Sequence, residues 1–204
     1  MWHREREAVP GDCPVHATLR VKPNLRSLRD AKLVREWRRS LTEASERGSF
    51  RVAHYSLQGD HAHLIVEAHG KHALACGMKS IAARLARAVN RTSGRSGSVL
   101  DGRYHHRALR SPREVRRALA YVLLNARRHL AKRRRLARAA PALLDPASSA
   151  RWFDGWRREA ASHVQDVSAL PEVARARSWL LRLGWRRHGL VDPEELPGAV
   201  EAIG

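Results

Sequence analysis

The stretch Asp60-His61-Ala62-His63-Leu64-Ile65-Val66-Glu67 restricts what this chain can fold into more than any other. It has the alternation of a β-strand, in which successive side chains leave opposite faces. His61 and His63 therefore share one face, while Ala62, Leu64 and Val66 share the other. One face can join a core and the other presents two imidazoles. Just upstream, Phe50 to Leu57 reads as a second strand, and Gln58-Gly59-Asp60 between them is a turn. The two strands are expected to pair antiparallel as a hairpin.

Around this hairpin the other elements fall into order. Val15 to Val21 alternates apolar and polar residues and reads as a first strand, stopped by Pro23. Between 27 and 47, Leu33, Val34, Trp37, Leu41 and Ala44 recur at helical spacing, which predicts an amphipathic helix ended by Gly48. After Gly70 a second helix is predicted to about Arg91, with Met78, Ile81, Ala82, Leu85, Ala88 and Val89 on one side and Arg84, Arg87 and Arg91 as a basic stripe. Residues 92–98 form a flexible basic loop, and Arg103 to Leu109 reads as a further strand. The third helix has a clear start, because Ser111-Pro112-Arg113-Glu114 supplies an N-cap, a proline in the first turn and a capping-box glutamate. Its predicted buried stripe is Val115, Leu119, Val122, Leu123, Ala126 and Leu130, with Tyr121 and Asn125 away from that stripe and next to each other at i and i+4.

Strand, helix, strand, strand, helix, strand, helix is the order of a split βαβ unit. We expect an α+β fold, a ferredoxin-like antiparallel sheet with helices on one side, plus a helical C-terminal extension. The expected divisions are a flexible leader at 1–12, a domain at 13–131, and a basic linker with a tryptophan-containing extension at 132–204. In that extension a helix is predicted from Pro171 to Leu183, closed by Gly184, and a last short helix from Asp192. Trp152, Phe153, Trp156, Trp179 and Trp185 read as a small core or a docking surface rather than as platforms for bases.

Charge narrows the partners. There are 39 Lys+Arg against 20 Asp+Glu, a formal net charge of +19, with lysine only at positions 22, 32, 71, 79 and 132. Such a field attracts a polyanion: nucleic acid first, an anionic membrane surface second. Arginine suits bidentate phosphate contact, although a solvated helix face is the better account of any single one of them. No apolar run approaches the ~18 residues of a spanning helix, so a soluble protein without a membrane partner is expected. Cys13 and Cys76 are far apart, in no metal-binding spacing, and read as free buried thiols.

The histidine pair has two readings. It is either a divalent-metal site with open positions or two partly exposed residues of a chain that has 12 histidines. Here a resemblance enters. Asp60-His61-Ala62-His63-Leu64, Gly102-Arg103-Tyr104 and Tyr121-Val122-Leu123-Leu124-Asn125 together resemble the REP-associated tyrosine transposases, members of the HUH single-tyrosine transposases, over roughly Cys13 to Leu130. The resemblance implies that His61, His63 and Asn125 bind a divalent ion, Mg²⁺ or Mn²⁺. It implies that Tyr121 is the nucleophile forming a 5′-phosphotyrosine link, and that single-stranded or hairpin DNA is the substrate. Lys79, Arg84, Arg103 and Arg128 are the candidate DNA contacts. A monomer or homodimer in the bacterial cytoplasm, at the nucleoid, is expected, with the tail closing over bound DNA.

This chain departs from the family pattern in three places. Ala62 replaces a bulky residue, Ala126 stands where proline often follows the asparagine so that the helix is expected to continue, and Leu100 or Asp101 replaces a tryptophan. None removes a catalytic group. Two rival readings are a domesticated DNA-binding protein without cleavage and an RNA-binding module. The latter would need exposed aromatics on the middle strands, where only Tyr55 is available.

Overall fold

The computed structural model describes residues 13–128, 144–157 and 170–198; the expected leader, Leu130 and the basic run from Lys132 to Arg135 lie outside the described residues. Strand β1 (Val15–Arg20) leads to helix α1 (Ala31–Thr42), then a two-residue β2 (Glu46–Arg47), β3 (Phe50–Leu57), β4 (His61–Ala68), helix α2 (Gly70–Thr92), β5 (His105–Ala108) and helix α3 (Pro112–Leu123). A short helix α4 (Trp179–Arg182) follows in the extension. The five strands form one antiparallel sheet in the order β2-β3-β4-β1-β5. Apart from the small β2 this is the ferredoxin-like order, and it puts the histidine strand in the middle.

Alternation along β1 and β4 divides the molecule into two cores. Val15, Ala17, Leu19, Ala62, Leu64 and Val66 face α1 and α2, against Leu33, Trp37, Leu41, Leu74, Met78 and Leu85. The register of β3 shifts between Val52 and His54, inserting one extra residue opposite β4. That bulge keeps both Val52 and Tyr55 in the first core and turns Ala53 to the other face. Tyr55 is fully buried, edge-on to Trp37 with ring centroids 6.0 Å apart. The RNA-binding module thus lacks its one candidate stacking ring. Phe50 lies flat over α2, where a Cβ at Gly77 would come within 2.1 Å of its ring, so only glycine permits the contact.

Several expectations need correcting. Helices are not confined to one side: α1 and α2 fill the first face, and α3 packs on the other, where Ala53 and Ile65 meet Val115, Leu119, Val122 and Leu123. The predicted helix over 27–47 is shorter, because Asp30 caps it by accepting from the Lys32 and Leu33 amides, and Glu46–Arg47 instead pair with β3 around Gly48. The third helix is not continuous: Leu124, at φ −108 and ψ 11, interrupts it, and 125–128 are again helical. Among the described residues of the extension only Trp179–Arg182 is α-helical, Gly184 opens a 3-10 turn, and Asp192 begins a plain turn. Both cysteines are unbridged but not buried. Among the described residues no helix is long and apolar enough to cross a membrane.

The extension belongs to the second core. Phe153, Trp156, Leu181 and Trp185 are buried with α3, as the small-core reading of these aromatics expects, whereas Trp179 is 48% exposed. Backbone bonds tie it to the free edge of β3: Leu57 donates to Ala147 (2.8 Å), Ser149 to Tyr55 (3.0 Å) and Ala174 to Val52 (2.9 Å). An edge that would otherwise invite intermolecular pairing is covered. Two buried carboxylates anchor the cover. Glu67 accepts from the backbone amides of Arg177 and Ser178, each at 2.8 Å, and pairs with buried Arg51 at 3.4 Å. Glu172, 1% exposed, accepts from the Tyr55 hydroxyl (3.0 Å), from Arg151 (2.7 Å) and from the Trp152 indole. A tail that merely closes over DNA would not be built into the fold in this way.

Breaking a buried charged network leaves its partners uncompensated. Glu172→Ala should cost about 3–5 kcal/mol, read as a lower urea midpoint. Acid should also weaken the fold before the carboxylates titrate. His54, edge-on to Phe153, is pushed down to about 4 by burial, against the opposing pull of Asp154 and Glu67. The unfolded chain, near 6.5, then binds more protons, so stability falls as pH drops from about 6.5 to about 4. In urea titrations across that window His54→Leu should remove roughly 3 kcal/mol of the pH-dependent loss in total.

Candidate active site

The second face of the sheet carries the site. Because β1 lies beside β4 with Thr18 opposite His63 and Arg20 opposite His61, the even-numbered residues of β1 flank the two histidines. His61 Nδ1 is 2.6 Å from Asp60 Oδ1. A carboxylate can only accept, so Nδ1 donates in this bond, and the neutral form of the His61 ring keeps a lone pair on Nε2. The same bond holds the Asp60 carboxyl below the usual carboxylate range, helped by the charge of Arg20, whose guanidinium is 3.3 Å away. His61 Nε2 and His63 Nε2 are 3.0 Å apart. His63 is buried, and its Nδ1 is 3.2 Å from His16 Nε2 and 3.1 Å from Thr18 Oγ1.

Helix α3 brings the tyrosine. Ser111 accepts from the Glu114 amide, and the Glu114 carboxylate accepts from the amides of Ser111 and Arg110, closing the capping box that the sequence predicts. Glu114 also receives Arg107 of β5 at 2.5 Å, so the helix start is pinned to the sheet edge. Burial opposes ionisation of Glu114, but the Arg107 bond and the two amides outweigh it and hold its carboxyl low. From that start the apolar stripe beds onto the sheet, and half-buried Tyr121 lies edge-on to His63, ring centroids 5.0 Å apart, and 5.8 Å from His16. The Arg128 guanidinium sits 5.5 Å from the Tyr121 ring centroid. Tyr121 and the histidine pair therefore meet within a single chain.

Asn125 departs from expectation. It is 1% exposed, although the helical wheel sets it well away from the buried stripe, because the break at Leu124 re-aims the chain after Tyr121. Neither its Oδ1 nor its Nδ2 has a hydrogen-bond partner. A buried amide left wholly unpaired costs about 1–3 kcal/mol, and functional sites are where such costs persist. Among the described residues no group of three or more His, Cys, Asp and Glu is placed to hold a metal. The pair His61 and His63 is a two-nitrogen set, and an amide oxygen is the further donor the sequence resemblance implies.

The basic candidates separate. Arg128 is at the tyrosine, and exposed Arg103 lies in the turn before β5. Lys79 and Arg84 are on α2, across the sheet from Tyr121. Lys79 is exposed, but Arg84 is tied to Ser40 at 3.2 Å and joins the wall of a cavity of about 230 Å³ between α1 and α2. Burial, then the charges of Arg47 and Arg87, make the Arg84 cation less favourable than usual. Sequence reasoning passed over His16, Thr18 and Arg107. The alternation of Val15-His16-Ala17-Thr18 carries the signal for the first two, but only the pairing of β1 with β4 shows that their face is the histidine face. His16 is pushed down to about 4 by burial, with the Arg107 charge adding to it, so it is neutral at pH 7.

The family model described as transposase IS200-like matches residues 11–105, from before β1 to the first residue of β5. No curated protein sequence matches the chain. A solved structure of a REP-associated tyrosine transposase bound to a REP hairpin aligns with a TM-score of 0.48 at 15% identity, covering 63% of this chain and 74% of that one. The family match takes in four of the five strands and the two-histidine segment, and ends before α3. Over residues 11–105 the chain is similar to the IS200-like transposases.

Proposed function

We propose that this protein is a metal-dependent endonuclease and strand transferase for single-stranded or hairpin DNA, working through a 5′-phosphotyrosine intermediate. It would act as a monomer or homodimer on DNA at the nucleoid of a bacterial cell. The observation that carries the reading is the meeting of Tyr121 with His63, 5.0 Å between rings, beside two imidazole nitrogens 3.0 Å apart. The family match supports DNA as the substrate, and the Tyr121 assignment rests on geometry, since α3 lies outside the matched residues.

The residues fit a divalent ion. His61 presents the Nε2 lone pair that Asp60 fixes, His63 presents its own Nε2 at 3.0 Å, and the unpaired Asn125 amide offers an oxygen. Mixed nitrogen and oxygen donors suit Mn²⁺ somewhat better than Mg²⁺. When bound, such an ion polarises the scissile phosphate and neutralises developing charge. The chain itself does the rest. The Tyr121 oxygen attacks phosphorus, the P–O3′ bond breaks, the phenol proton passes to solvent, and the departing oxygen takes up a proton as a 3′-hydroxyl. A 3′-hydroxyl from the same or another strand then attacks the phosphotyrosine and returns the phenol, so no external energy source is needed. Arg128 stands where it can hold a phosphate oxygen against the tyrosine. Arg103 and Lys79 would supply sequence-independent backbone contact, while Arg84 is committed between helices.

End-labelled hairpin DNA mixed with the protein and Mn²⁺ should give a covalent adduct on a denaturing gel. Tyr121→Phe should abolish that adduct while retaining a salt-sensitive mobility shift. A shift with no adduct in the wild type would leave only the domesticated binder. A second outcome follows from the orphaned amide. Asn125→Leu, close in volume, should leave the metal-free protein as stable or about 1 kcal/mol more stable in urea, yet lower adduct formation at least ~10-fold.

A further inference from the structure

The weak point of a two-imidazole site is where the protons sit. Asp60 settles His61, whose Nε2 keeps a lone pair. In its Nε2–H form His63 would donate straight to His61 Nε2, 3.0 Å away. That bond would consume both lone pairs that face the site. The alternative form, with the proton on Nδ1, frees both, but it needs an acceptor buried in the sheet beside Nδ1.

We infer that His16 and Thr18 are positioning residues whose Nε2 and Oγ1 accept the Nδ1 proton of His63 and so hold its Nε2 lone pair toward His61. Both atoms are in place, at 3.2 Å and 3.1 Å from His63 Nδ1. Both come from β1, whose register against β4 puts Thr18 directly opposite His63. The His16 ring lies 5.2 Å from the His63 ring and 5.8 Å from Tyr121, so it also packs against both rings. This is the role an outer partner has for a metal-binding histidine, with a neutral imidazole and a hydroxyl in place of the usual carboxylate or carbonyl. The inference rests on the proposed function for the identity of the bound ion, and concerns residues that the reaction itself does not touch.

The test reads Mn²⁺ affinity, from the electron paramagnetic resonance signal of free Mn²⁺, on the full chain without DNA. His16→Phe with Thr18→Val removes both acceptors and should raise the Mn²⁺ dissociation constant about 10–100-fold. His16→Gln, whose amide oxygen can accept at the same place, should stay within about 3-fold of the wild type. Thr18→Val alone keeps the shape of the side chain and should fall between, so the inference stays exposed if the double variant does not fold. A folded double variant that binds Mn²⁺ like the wild type would overturn it, and so would His16→Gln binding as weakly as the double variant. Failure of the wild type to bind Mn²⁺ at all would instead bring down the metal-dependent reading, and this inference with it.

Discussion

The antiparallel register of β1 against β4 is the constraint on which the rest depends. With Thr18 opposite His63, alternation sends Ala17, Leu19, Ala62 and Leu64 to the α1 and α2 side, and His16, Thr18, His61 and His63 to the other. A slip of one residue would bury the imidazoles among leucines and turn the first core outward. The same hydrophobic burial that stabilises the sheet, about 1.5–3 kcal/mol per large apolar side chain, thus also fixes the site. The histidines are held by a backbone that cannot shift without dismantling the core behind it.

The other half of the site depends on the extension. Helix α3 sits between the sheet and the residues around Phe153, Trp156 and Trp185, and Arg116 on its outer side makes a bidentate pair with Glu195, both bonds 2.7 Å. The capping box fixes the start of the helix at β5, and this clamp fixes its rotation. Tyr121 needs both, because a turn of the helix about its axis would swing the phenol away from His63 while leaving most apolar contacts in reach. The extension can therefore hold Tyr121 beside His63 from a distance.

Much of this was legible in the chain itself. The hairpin around Gln58-Gly59-Asp60, the second helix and the start of α3 follow from local signals that tertiary packing reinforces, and each lies where expected. The face taken by α3 was not legible, since its stripe only says that one side is buried; the choice depends on α1 and α2 having already filled the first face. The break at Leu124 carries no sequence mark, as neither glycine nor proline stands there, and it is what buries Asn125. His16 and Thr18 were visible as alternation but not as partners of His63, because pairing between strands 45 residues apart is a property of topology. The extension reads as helical from its sequence, yet its described residues make only short helical turns and are fastened to β3 and Glu67 as well as to one another.

Charge is the feature most easily over-read. A formal +19 suggests a surface covered with phosphate contacts, but many of the arginines that create it are spent inside the molecule. Arg51 is 2% exposed between Glu46 and Glu67, Arg29 pairs with Asp145 at 2.7 Å, Arg151 serves Glu172, and Arg84 links α2 to α1. Guanidinium forks do this well, since each can satisfy several buried acceptors at once. An arginine-rich composition therefore measures how the extension and helices are fastened as much as it measures affinity for a polyanion. What bears on the proposed function is position: Arg128 lies over the Tyr121 ring, on the same face of the sheet as the paired imidazoles.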